Sequence, residues 1–199
     1  MSQEIEIEFK NILTLNEFMK IKEVFQLKDE QFFLQENHYF DTPQFSLKER
    51  GSALRIRKKQ NQFVMTLKEP AKVGILETHQ IVTKEAAQQM LETGILEDGQ
   101  ITERLTSLGI NKADMSYFGT LSTLRAEINY KNGLLVIDHS RYLNIEDFEL
   151  EYEVTDEQEG QKVFHDLLEE LNIPIRETKN KIRRFYEQKR KRLDQPRQA

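Results

Sequence analysis

Residues 4–10, EIEIEFK, alternate strictly: Ile5, Ile7 and Phe9 fall on one side and Glu4, Glu6, Glu8 and Lys10 on the other. Successive side chains of a strand point to opposite faces, so this period of two predicts a strand with one apolar and one charged face. The period changes in TLNEFMKIKEVFQL (14–27), where a Thr14–Glu17 capping box precedes apolar positions at Leu15, Phe18, Met19 and Phe25, with the Lys22 stem alongside. That spacing predicts an amphipathic helix. FFLQENHYFDTP (32–43) returns to a β-prone run that stops at Asp41–Thr42–Pro43. SALRIRKK (52–59), QFVMTLKEP (62–70) and LETHQIV (76–82) follow as a meander, separated by QNQ and PAKVGI.

Two short helices are predicted next, in TKEAAQQMLETG (83–94) and ITERLTSLG (101–109), each with a threonine start signal and a glycine stop. SYFGTLSTLRAEINY (116–130), GLLVIDHSRYL (133–143) and DFELEYEV (147–154) alternate again, with KNG as a tight turn between the first two. DEQEGQKVFHDLLEELNI (156–173) predicts a helix capped by Asp156, with Val163, Leu167, Leu168 and Leu171 inward. KNKIRRFYEQKRKRL (179–193) predicts a basic helix. Strands dominate, and no internal repeat or linker interrupts them.

Writing each strand as two faces shows that the charges are sorted. Arg55 and Arg57 share a face, as do Thr66 and Lys68, Arg125 and Glu127, Val136 and Asp138, and Glu149, Glu151 and Glu153. Acidic pairs cluster in the strands of the two ends of the chain and basic ones in the middle, whereas a merely solvated surface ordinarily mixes signs. A two-layer sandwich accounts for the alternation alone. Closing the sheet into a barrel would instead gather both sets around one lumen, with carboxylates on one wall suited to divalent cations and Arg and Lys on the opposing wall suited to phosphate oxygens.

Composition narrows the chemistry. The chain has 199 residues, 38% hydrophobic and 32% charged, which predicts one domain, taken as residues 1–192 with a frayed tail at 193–199. A net charge of -5 argues against a broad nucleic-acid surface. No apolar run has the length of a membrane span and the N-terminus lacks a signal pattern, so a soluble, cytoplasmic protein with no membrane partner is expected. The absence of cysteine excludes thiolate nucleophiles and Cys-ligated metals and leaves carboxylate or imidazole ligands, a set that favours hard cations such as magnesium, manganese or calcium. His38, His79, His139 and His165 show no metal-ligand spacing and are expected in structural or surface roles. Tyr39, Phe40 and Phe45 are expected to pack, Lys58 and Lys59 to form an exposed basic end, and Glu4 and Glu153 to sit at strand ends in water.

The ordered series EIEFK (6–10), YFDTP, ALRIR, TLKEP, the arginine of TLRAE, VIDHS and FELEYEV resembles the CYTH domain, or triphosphate tunnel metalloenzyme, superfamily over almost the whole chain. The resemblance implies an α+β fold that is mainly antiparallel β: a closed eight-stranded barrel, the triphosphate tunnel, with peripheral helices. It implies a Mg2+- or Mn2+-dependent triphosphatase that takes a triphosphate-containing small molecule. Glu6, Glu8, Glu149 and Glu151 correspond to its metal ligands and Asp138 to a further acidic group near a metal. Lys10, Arg55, Arg57, Lys68 and Arg125 correspond to its phosphate-holding residues, and Glu77 more loosely to an acidic position on the strand after Lys68. Lys181 in NKIRRF corresponds to the lysine of a Ser-Lys segment, but Asn180 stands in place of the serine, which leaves Lys179 and Arg183 as alternatives. Inorganic tripolyphosphate is the substrate favoured here, since no aromatic clamp stands out. Thiamine or nucleoside triphosphates, the cyclase chemistry of relatives, and a non-catalytic polyphosphate- or nucleotide-binding module remain open.

Overall fold

The computed structural model describes residues 2–59 and 62–194. Among them are eight strands, β1 (Ser2–Leu13), β2 (Phe33–Asp41), β3 (Ala53–Lys59), β4 (Gln62–Pro70), β5 (Ile75–Val82), β6 (Ser116–Tyr130), β7 (Gly133–Tyr142) and β8 (Ile145–Val154). Six α-helices accompany them: α1 (Leu15–Val24), α2 (Ser46–Glu49), α3 (Lys84–Thr93), α4 (Gln100–Ser107), α5 (Glu157–Glu170) and α6 (Lys181–Asp194). The strands close into one antiparallel barrel in the order β1-β5-β4-β3-β2-β6-β7-β8. The sandwich that alternation alone allowed is thereby excluded, and closure removes the unpaired strand edges an open sheet would expose. No described helix is long and apolar enough to cross a membrane. The expected tail begins inside α6, which runs to Asp194; its remainder, Gln60 and Asn61 of the QNQ turn, and the side chain of Lys59 lie outside the described residues.

Contacts within the chain divide it into two compact units, Met1–Ile7 with Gln35–Leu121 and Glu8–Leu34 with Ser122–Ala199. In the first unit β3, β4 and β5 form the expected meander, with Arg55 across from Thr66 and Lys68 across from Glu77. The opposite faces of these strands bury Leu54, Ile56, Met65 and Leu67 against Ala87 and Met90 of α3 and Ile101 and Leu105 of α4. Thr83 caps α3, and Gly94, at φ 76°, ends it in the left-handed conformation that glycine adopts without a Cβ clash. Helix α4 begins earlier than its threonine suggested: Gly99 is the N-cap, and the Thr102 hydroxyl, three residues on, bonds the Gly99 amide and carbonyl at 2.9 and 2.7 Å. The turn before β5 comes so close to β1 that a Cβ on Gly74 would lie 2.2 Å from the Glu6 carbonyl oxygen. At the end of β2 the buried Asp41 carboxylate accepts the amides of Thr42, Leu47 and Lys48 at 2.7, 2.9 and 3.2 Å, which fixes the DTP turn and the start of α2.

In the second unit β6, β7 and β8 run in register, Arg125 opposite Asp138 and Asp138 opposite Glu149. Their apolar face, with Ala126, Leu135, Ile137, Phe148 and Leu150, is covered by Phe18 and Ile21 of α1 and Phe164, Leu167 and Leu168 of α5. The Thr14–Glu17 capping box forms in both directions. The inward stripe of α1 is narrower than expected: Phe18, Ile21 and Phe25 pack on the core, whereas Leu15 and Met19 are 55% and 52% exposed. Positions i, i+3 and i+7 follow one line along a helix, and Met19 is rotated about 100° from its neighbour Phe18. Asp156 caps α5 by accepting the Glu159 amide at 2.8 Å, and the inward side of α5 holds Phe164 as well as the expected leucines.

Candidate functional site

The cross-strand row Arg125–Asp138–Glu149 is the centre of a buried ionic cluster in the second unit. Arg125 forks onto Asp138, Nε to Oδ1 at 2.9 Å and Nη2 to Oδ2 at 2.6 Å, and Nη2 also reaches Glu151 Oε2 at 2.9 Å. Because β8 alternates, Asp147, Glu149 and Glu151 project from one face of one strand. Helix α6 brings two more cations, Lys181 and Arg184, the latter onto Glu149. Its first residue, Lys181, places Nζ 2.8 Å from Asp138 Oδ2 and 3.5 Å from Glu149 Oε1 and donates a short bond to Glu151. Asn180 accepts the Arg183 amide at 2.9 Å and so caps the helix that presents Lys181. Asparagine and serine are comparable N-caps, so the departure from serine preserves the local structure. On β1, Lys10 pairs with Glu8.

Burial and neighbouring charge set the acidity of these groups. Burial raises the Glu149 carboxyl to about 7, with the Glu151 charge adding to the rise and Lys181, Arg184 and Lys10 opposing it. For Glu151 burial also acts upward, but the charges of Lys181, Arg125 and Lys10 outweigh it and hold the carboxyl well below the usual range. Burial pushes the Lys10 and Lys181 ammonium groups down; their carboxylate neighbours more than offset this, and both end above the ordinary lysine value. One carboxylate is thus held firmly charged beside a second that is poorly compensated.

The first unit carries a separate cationic group. Lys68 bonds Glu6 Oε2 at 2.6 Å and pairs with Glu77, whose carboxyl is brought down to about 2: burial opposes ionisation, and Arg55 and Lys68 overcome it. Arg57 donates Nε to the buried Asn37 Oδ1 at 2.6 Å, which fixes the guanidinium of a residue on the neighbouring strand. Tyr39 lies across from Arg55 in the ladder and is 5% exposed.

The expected sorting of acids and bases onto separate walls does not describe the chain. Glu6 and Glu77 sit among Arg55 and Lys68, and Arg125, Lys10 and Lys181 sit among Asp138, Glu149 and Glu151. A buried charge without an opposite partner is costly, so each unit brings opposite charges together. Among the alternatives to Lys181, Lys179 pairs with Glu187 at the surface and Arg183 is largely exposed. Sequence reasoning missed Arg184, Asp147 and Asn37. Arg184 bonds Asp147 and Glu149 and lies three residues after Lys181, one helical turn away; Asp147 simply extends the Glu149/Glu151 alternation by one step. His79 was expected in a structural or surface role; its Nε2 is 3.0 Å from Glu4 Oε1 and 3.4 Å from Glu77 Oε2, and ligand atoms of the three residues lie within 4.8 Å of one another. The strand register, which places Glu4 opposite Glu77, makes this group possible without any sequence spacing. Lys58 is exposed, and Phe40 is buried in the first unit's core.

The profile of the CYTH domain matches residues 4–186. A Bacillus subtilis protein named "Putative triphosphatase YjbK" is 52% identical over 191 residues, which are 96% of this chain and 99% of that protein. The crystal structure of a Bacillus halodurans protein described as a "putative adenylate cyclase" superposes with a TM-score of 0.90 at 42% identity, covering 94% of this chain and 100% of that one. A Hippeastrum protein, HpAC1, described as a "putative adenylyl cyclase" with a dominant triphosphatase activity, shares the fold at a TM-score of 0.76 and 23% identity, over 92% of this chain and 96% of that one.

Proposed function

The chain belongs to the CYTH domain family, and from that premise we propose that it is a metal-dependent triphosphatase acting on inorganic tripolyphosphate, releasing phosphate and pyrophosphate. The observation that carries the reading is the buried cluster of Asp138, Glu149 and Glu151 interleaved with Arg125, Lys181 and Lys10. It contains oxygen donors for a hard cation and guanidinium and ammonium donors for phosphate.

The donor set fits a divalent metal. Glu149 Oε1 is buried and accepts no hydrogen bond from the described residues, and its carboxyl is poorly compensated where it stands. A cation of two charges held by Asp138, Glu149 and Glu151, with Glu8 of the same unit as a further ligand, would remove that deficit. Bound there, Mg2+ or Mn2+ would supply charge neutralisation and a water of lowered pKa. The chain's own groups do the rest. In the second unit Arg125, Lys181 and Lys10 would bind phosphate oxygens, and in the first unit Arg55, Arg57 and Lys68 are donors of the same kind. A carboxylate left free of metal accepts the proton of the attacking water. No covalent nucleophile is needed, because neutralising a triphosphate of roughly four to five charges is the main obstacle to attack.

The preference for inorganic tripolyphosphate rests on the cationic side chains that each unit carries, Arg125, Lys181 and Lys10 in one and Arg55, Arg57 and Lys68 in the other. Tyr39 shares a face with Arg55, but a ring only 5% exposed has little surface on which to stack a base. Initial rates of phosphate release from tripolyphosphate, ATP, thiamine triphosphate and pyrophosphate, with Mg2+, with Mn2+ and with EDTA, test the proposal. Tripolyphosphate should be fastest at low concentration, pyrophosphate poor and EDTA fully inhibitory. A clear preference for an organic triphosphate would overturn the substrate, and binding without release under either metal would make the protein a binding module.

A further inference from the structure

Arg184 belongs to neither the residues of the family signature nor the expected phosphate contacts, yet its side chain is among the best held in the second unit. Its guanidinium grips Asp147, Nε to Oδ2 at 2.9 Å and Nη2 to Oδ1 at 3.3 Å. Nη2 also bonds Glu149 Oε2, and Nη1 donates to the Lys179 carbonyl. Asp147 is fixed in turn by the Tyr142 hydroxyl, 2.7 Å from Oδ2. The ring of Tyr142 packs edge-on against Phe185, at 5.6 Å between centroids, and Phe185 and Tyr186 are buried. The base of Arg184 is therefore anchored by its own helix and its fork by Asp147, independently of Glu149.

These contacts have different fates when Glu149 acquires another cation. The pairing with Asp147 persists, since Asp147 is held by Tyr142 and lies one strand step from Glu149. The bond to Glu149 is contested even though it falls on Oε2 and a divalent ion would take the unbonded Oε1, because such an ion at the same carboxylate would draw off its charge and repel the guanidinium. Arginine does not deprotonate, so the displaced edge keeps its charge and its donors. We propose that Arg184 is an exchangeable counter-ion: it neutralises Glu149 in the metal-free chain and becomes a further phosphate-binding residue once Glu149 serves a metal, with Asp147 and Tyr142 as its positioning residues. This inference rests on the triphosphatase reading and adds a residue that the reading does not require.

The role has a signature of opposite signs. Removing a cation from Glu149 favours a metal at that carboxylate, whereas removing a guanidinium from a phosphate disfavours the anion. The measurement is calorimetric titration, without turnover, of Mn2+ alone and then of an imido-bridged, non-hydrolysable tripolyphosphate analogue at saturating Mn2+. Wild type, Arg184→Ala and Arg184→Lys are compared, with circular dichroism confirming the fold. Arg184→Ala should bind Mn2+ alone several-fold more tightly and the analogue about tenfold more weakly, as expected for one charge-assisted contact. Arg184→Lys, which keeps the charge but loses the fork, should bind Mn2+ much as wild type and the analogue with an intermediate loss; it decides the matter if the alanine variant does not fold. Unchanged analogue affinity in both variants, or a parallel weakening of Mn2+ and analogue, overturns the role of Arg184 while leaving the triphosphatase reading intact. A wild-type protein that binds neither Mn2+ nor the analogue overturns both.

Discussion

Replacing Asp138 with alanine tests whether the ionic cluster is part of the folded state's stability as well as of its chemistry. Asp138 has no exposed side-chain surface and receives three charge-assisted contacts, from Arg125 Nε and Nη2 and from Lys181 Nζ, at 2.9, 2.6 and 2.8 Å. Taken singly, such contacts contribute ~1.5–3 kcal/mol each, but they do not add, because the substitution leaves both cations a partner. Arg125 retains Glu151 at 2.9 Å, and Lys181 retains Glu151 and the more distant Glu149. The expected loss therefore falls at the low end of the ~3–5 kcal/mol that breaking a buried ion pair costs, about 3 kcal/mol. For a chain of this length that corresponds to a fall in midpoint temperature of roughly 6–12 °C. Urea unfolding of wild type and Asp138→Ala in EDTA, with matched slopes, measures it, and Asp138→Asn separates charge from volume. A loss below about 1 kcal/mol would refute the reasoning, since it would mean that the cluster is solvated and its pairs behave as surface salt bridges.

Further outcomes follow from other groups. Glu8→Gln should abolish metal-dependent phosphate release while leaving the unfolding curve close to wild type; wild-type rates would remove Glu8 from the site. Arg57→Ala should weaken triphosphate binding by ~1.5–3 kcal/mol in calorimetry at fixed metal concentration, and unchanged affinity would show that this guanidinium, held by Asn37, does not meet the ligand. Asp41→Ala, which strands three amides at the start of α2, should cost about 2–4 kcal/mol of unfolding free energy with little change in the rate of the remaining folded enzyme. The Glu17 carboxyl is held below its ordinary value mainly by its bonds from Arg176, at 2.8 and 2.9 Å. A folded-state value below the unfolded one stabilises the protein above the unfolded value, and that contribution disappears as the pH falls through the folded value. Glu17→Gln should accordingly flatten part of the acid limb of stability against pH, and an unaltered limb would show that the pair is fully screened.

What the sequence determined is what depends on nearest neighbours along the chain. The two-residue alternation of EIEIEFK and FELEYEV was enough to place strands and to put Glu149 and Glu151 on one face, because side-chain direction in a strand is a local property. Thr14, Thr83, Asp156 and Gly94 marked helix ends for the same reason: caps act over three or four residues. Barrel closure was legible only through the ordered motif series, since alternation does not distinguish a barrel from a sandwich. Which charge meets which was decided by the fold. Register set Asp138 between Arg125 and Glu149 and Glu4 beside Glu77, and the docking of α6 delivered Lys181 and Arg184 to carboxylates more than thirty residues away or close to it. Sorting by strand suggested an acidic and a basic wall. Desolvation works against that arrangement in the ligand-free chain, because a buried carboxylate must find a cation wherever the tertiary structure can bring one.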